Sequence, residues 1–164
     1  MTATAVTTRT TTARTTSATA APPDGTGTLA VPLPSGLRAP SLARRTTAGF
    51  LRRFWPGLAP QRRDDFLLIV SELVTNAVRH APGPSTLTLT TASGALDIAV
   101  TDHSRVPPAP RAPDRADGTG GMGLHIAEDL GARVFTQVLA DGKCVHAAFA
   151  ASSESNEAAG RGGR

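Results

Sequence analysis

A chain of 164 residues with 40% hydrophobic content has room for one domain with a workable core. No stretch approaches the roughly 20 apolar residues that a membrane-spanning helix needs, and the first residues lack the apolar segment of a secretory signal. The lone cysteine, Cys144, excludes an internal disulfide and fits a cytoplasmic setting. Charge is lopsided: nine arginines face one acid in residues 1–63, eight basic residues face twelve acids in 64–164, and the net is +4. Sixteen of the seventeen basic residues are Arg in a chain also rich in Ala, Gly and Pro, with 4% aromatics. The basic front half therefore reads as compositional bias, and direct nucleic-acid binding is not expected.

Residues 1–28 form a Thr/Ala tract with too few large apolar groups to offset ordering entropy, and residues 152–164 read the same way. Both are expected to be disordered, leaving a domain over 29–151. "LAVPLP" predicts a short edge strand, because its prolines cannot serve a central one. Ser41 is expected to N-cap a helix running to Phe54, stopped by Pro56. The strongest helix is "APQRRDDFLLIVSELVTNAVRHAPG", where Phe66, Ile69, Val70, Leu73 and Ala77 recur at helical spacing until Pro82 and Gly83. "STLTLTT" and "ALDIAVTD" alternate apolar and polar around "ASG", the pattern of an antiparallel hairpin. Residues 103–120 are broken by four prolines and two glycines. A helix is expected over 122–130, followed by two strands around Asp141-Gly142. The order implies an α+β domain: one mixed or antiparallel sheet with helices on one face.

"DGTGGMGLHIAEDL" matches G-x-G-x-x-G literally, yet the dinucleotide-binding fingerprint needs a buried strand feeding into the first glycine. Here "HSRVPPAPRAPDRAD" precedes it. A P-loop fails too, because Gly142-Lys143 is followed by Cys144 without the upstream glycine. A protein-kinase glycine loop lacks its lysine and H-R-D partners. What remains is either a flexible linker capped by a helix or an anion site of bare amides at a helix start.

Glu72, Asn76 and Arg79 fall within about 60° of each other on the helical wheel. Such a row is either a solvated face or a carboxylate and amide set for a hard cation, with the guanidinium serving phosphate. Asp102 ends "ALDIAVTD" and either begins a turn or accepts hydrogen bonds from the amine of a base.

In fixed order, "SELVTNAVRHA", "AVTDHS" and "GGMGLHIAEDL" resemble the N, G1 and G2 boxes of the GHKL-type ATPase superfamily, shared by histidine kinases, DNA gyrase, the Hsp90 chaperones and MutL. Over roughly residues 30–150 the chain is similar to the anti-sigma-factor serine kinases, especially the small actinobacterial ones. The resemblance implies a two-layer α/β sandwich of the Bergerat type and binding of ATP with Mg2+. It makes Glu72 the catalytic carboxylate that activates the attacking hydroxyl and Asn76 the metal ligand. Arg79 and His80 then lie near phosphate, and Asp102 reads the adenine amine. Gly121, Met122, Gly123 and Leu124 form the phosphate-holding turn, and residues 104–120 the lid. Two departures stand out: Ser104, which falls among the implied nucleotide-binding residues, replaces a lid glycine, and Cys144 replaces a threonine whose hydroxyl could assist adenine recognition. His80, His103, His125 and His146 are scattered and head no dimerisation helix, so an autophosphorylating sensor kinase is not expected.

The implied function is a serine/threonine protein kinase and anti-sigma regulator, with a sigma factor and an anti-sigma factor antagonist as partners. The sequence leaves homodimerisation open and gives no sign of a membrane partner. The alternative is a catalytically weak ATP-binding module that switches partners by sequestration.

Overall fold

A computed structural model describes residues 26–81, 83–106 and 122–150, with backbone alone at 122 and 123. The expected tails lie outside these residues except for 26–28, and most of the expected lid, residues 107–120, lies outside them as well.

Strand β1 (Gly27–Leu33) leads through a turn into helices α1 (Arg38–Phe54) and α2 (Pro60–His80). Strands β2 (Ser85–Ala92) and β3 (Ala95–Asp102) follow, then helix α3 (Met122–Asp129) and strands β4 (Arg133–Leu139) and β5 (Gly142–Phe149). One five-stranded sheet runs in the order β1-β2-β3-β5-β4, and all four pairings are antiparallel. Pro32 sits in an edge strand, where its missing N–H breaks no central ladder. The β2–β3 hairpin closes on Ser93 and Gly94, both with positive φ (48° and 81°). That is the backbone a two-residue hairpin turn requires to match strand twist.

Helix α1 starts three residues before the expected cap. Leu37 is the N-cap residue and contributes no side-chain bond, while Ser41 lies inside the helix with its hydroxyl donating to the Arg38 carbonyl. The apolar stripe of Ala39, Ala43, Phe50 and Leu51 settles where α1 begins, because burial outweighs a single cap. Pro60 opens α2 at N1, where its ring costs no hydrogen bond.

Every strand residue in the hydrophobic core comes from one face of the sheet: Leu33, Leu87, Leu89, Leu96, Ile98, Val100, Val145, Ala147 and Phe149. Helices α1, α2 and α3 contribute to the same cluster, so the helices cover that face. Phe66 anchors it, with ring centroids 4.8 Å from Phe149 and 6.2 Å from Trp55. The opposite face carries Thr86, Thr88, Thr90, Asp97, Thr101, Cys144 and His146, as period-2 alternation demands. Among the described residues no helix is long and apolar enough to cross a membrane.

Candidate functional site

Alternation along β3 turns Leu96, Ile98, Val100 and finally Asp102 toward the helices. Asp102 thus ends the strand as a buried carboxylate, 4% exposed, on the helix-bearing face. Its Oδ1 accepts the Ser104 backbone N–H at 2.8 Å, so the side chain folds the chain over as it leaves the sheet. The Ser104 hydroxyl in turn accepts the Val106 N–H at 3.3 Å. Ser104, itself buried, is therefore a fixed part of the turn rather than a loose hinge.

Sequence reasoning missed the residue that meets Asp102. Lys143 is its cross-strand partner in the β3–β5 register and is 3% exposed. Its Nζ donates to Asp102 Oδ1 at 2.9 Å and to the Ser104 carbonyl at 3.4 Å. Both contacts with Asp102 land on Oδ1, and among the described residues Oδ2 accepts no hydrogen bond. The available signal was "GKC": a glycine–lysine step opening a strand whose alternation places Val145, Ala147 and Phe149 inward also places Lys143 inward.

Gly142 makes the approach possible. A Cβ there would collide with the Asp102 carbonyl oxygen and press on His103 Cα, so only hydrogen fits against this backbone. The same alternation corrects the reading of Cys144. It pairs with Thr101, whose side chain is its hydrogen-bond partner, on the face away from the helices. The residue at 144 therefore cannot supply or withhold a hydroxyl for a base at Asp102. Burial pushes the Cys144 thiol pKa up, the Thr101 hydrogen bond lowers it, and the negative Asp97 and Asp102 raise it further.

On α2, Glu72 and Asn76 are half-buried and stand one turn apart, while Arg79 and His80 are exposed in the last turn. Helix α3 begins at Met122, which puts Met122, Gly123 and Leu124 in its first turn, where backbone N–H groups lack intrahelical acceptors. Leu124 packs against the core, whereas Gly121 lies outside the described residues. The far end of α3 is tied to α2: Arg62 Nη1 donates to the Leu130 carbonyl at 2.9 Å. The same guanidinium lies 4.9 Å over Phe66 and 5.0 Å over Phe149, and burial lowers its pKa against the raising effect of Asp65.

The donor set suits a purine nucleotide. It offers a buried acid whose Oδ2 receives no donor among the described residues, a helix N-terminus suited to phosphate, and a carboxylate and amide one turn apart.

This is a histidine kinase-like ATPase domain: the model of that family matches residues 33–149, and the chain belongs to it. Such a domain binds ATP, and the all-antiparallel sheet covered on one face by the helices of the described residues is an α+β fold consistent with it. Among solved structures, the chain resembles the RsbU and RsbW domains of Rv1364c from Mycobacterium tuberculosis, at 19% identity and a TM-score of 0.57. That match covers 75% of this chain and 32% of the other. The histidine kinase domain of the blue-light activated histidine kinase from Erythrobacter litoralis EL346 aligns at 18% identity and a TM-score of 0.45, covering 69% and 61% respectively. The chain thus spans about a third of the first and three-fifths of the second. Comparison with curated proteins gives no match.

Proposed function

We propose that the chain is an ATP-dependent serine/threonine protein kinase of the anti-sigma type. It binds a sigma factor and phosphorylates an anti-sigma factor antagonist that competes for it. The observation that carries the reading is the buried Asp102 carboxylate, fastened through Oδ1 and without a donor to Oδ2 among the described residues, in a histidine kinase-like ATPase domain. The three boxes that resemble the anti-sigma kinases, and the fold shared with the chain carrying an RsbW domain, support it.

In this reading Asp102 accepts from the adenine amine, and Ser104 holds the turn that fixes Asp102. The amides from Gly121 to Leu124 hold phosphate oxygens, with Arg79 and His80 beside them. Asn76 supplies a protein ligand to Mg2+, an ion usually held by one or two side chains plus substrate phosphates. Glu72 accepts the proton of the antagonist's serine or threonine hydroxyl as its oxygen bonds to the γ-phosphorus. The bond from that phosphorus to the bridging oxygen breaks, and ADP departs. Such a transfer needs mostly positioning and charge neutralisation.

Incubation with γ-labelled ATP and candidate antagonists tests it. Label on an antagonist hydroxyl is the expected result, and no transfer to any candidate overturns the kinase reading. The second reading, an ATP-binding switch with little chemistry, is favoured by the bonds that tie Ser104 on both its N–H and its carbonyl. If Glu72→Ala keeps regulation in cells while Asn76→Ala abolishes it, that second reading replaces the first.

A further inference from the structure

Lys143 is a buried cation to which the assignments above give no task. A buried lysine–aspartate pair adds little stability over an apolar pair of similar volume, because desolvation consumes most of the Coulombic gain. Its position offers another reason for its presence. It lies on the helix-bearing face at the end of the sheet, beside the acid assigned to the base.

An ammonium has three N–H donors. Asp102 Oδ1 and the Ser104 carbonyl take two, and among the described residues nothing accepts the third. Next to it stands Asp102 Oδ2, an acceptor that receives no donor among the described residues. Together they make a donor–acceptor pair fixed by strand register and by the Gly142 close approach. Adenine presents the complement: its exocyclic amine donates, and the ring nitrogens flanking it, N1 and N7, accept.

We infer that Lys143 is a second base-reading residue, donating to a ring nitrogen beside the amine that Asp102 accepts from. This rests on the nucleotide reading proposed above and names a further specificity determinant of that site. It also accounts for a lysine at a position that a neutral hydroxyl could not serve alike, since a charged donor bonds a ring nitrogen more strongly.

Calorimetric titration of the full chain with ADP and Mg2+, and with the 1-deaza and 7-deaza analogues, tests it. Each analogue replaces one ring nitrogen by C–H and leaves the amine intact. The expected result is that one analogue binds on the order of tenfold more weakly than ADP, and that Lys143→Met binds ADP and that analogue alike. Equal binding of ADP and both analogues by the unaltered protein overturns the role of Lys143 and leaves the nucleotide reading standing. Discrimination that persists in a folded Lys143→Met variant overturns it as well. No binding of ADP at all overturns the nucleotide reading itself. Should Lys143→Met prove unfolded by circular dichroism, the comparison of analogues on the unaltered protein decides alone.

Discussion

Asp102 and Lys143, separated by 41 positions in the chain, face each other across the β3–β5 ladder and close a 2.9 Å ion pair. Both are buried. Removing one partner of such a pair strands a desolvated charge, at a cost of about 3–5 kcal/mol, whereas removing both can be nearly neutral. Urea unfolding should accordingly show Lys143→Met much less stable than the unaltered protein. Adding Asp102→Leu should recover most of that loss. A strictly additive double variant would mean that the two side chains do not interact.

Gly142→Ala tests the close approach that brings the pair together. The new methyl meets the Asp102 carbonyl, a backbone atom that cannot swing aside. A loss of about 1–3 kcal/mol or more is expected, seen as a lower Tm, together with weaker ADP binding because Asp102 is displaced. Ala substitution at Gly36, where no atom lies within 4 Å but φ is +82°, should cost only about 1 kcal/mol of backbone strain and leave ADP binding unchanged.

Glu72 and Asn76 should separate chemistry from binding. Glu72→Gln keeps the shape of the half-buried side chain but cannot take up a proton, so nucleotide affinity should hold while phosphoryl transfer falls by about 10²–10⁴-fold. Asn76→Ala should lose the component of affinity that depends on Mg2+. Chelating the metal should then weaken ADP binding by the unaltered protein and leave the variant as it was.

Cys144 predicts a pH dependence whose sign follows from burial. Its pKa is raised in the folded state, chiefly by desolvation. Stability from this group is therefore whole below about pH 8.5, where an unfolded thiol begins to ionise. It is lost as pH rises through the higher folded value. Urea midpoints should fall more steeply on the alkaline side for the unaltered protein than for Cys144→Ala. Near neutral pH, iodoacetamide should react with the folded thiol roughly tenfold or more slowly than with the chain in urea.

Local signals carried much of the fold. The β3 boundaries, the hairpin around "ASG" and the 3.6-residue apolar rhythm of α2 were legible, because each is set by neighbours within a few positions, although Ala92 proved to belong to β2 and left a two-residue turn. Ser41 misled as a cap because a hydroxyl that can cap can equally bond back within a helix, and the buried stripe of α1 begins at Ala39.

The sequence by itself determined the α+β order and the helix and strand that bear Glu72, Asn76 and Asp102, since period and spacing are short-range properties. Only the tertiary structure decided that Lys143 joins Asp102 while Cys144 turns away, and that Arg62 reaches Leu130 from 68 positions distant. The reason is register. Alternation says that consecutive strand residues face opposite sides, but which side carries the site depends on pairing with a strand far away in the chain.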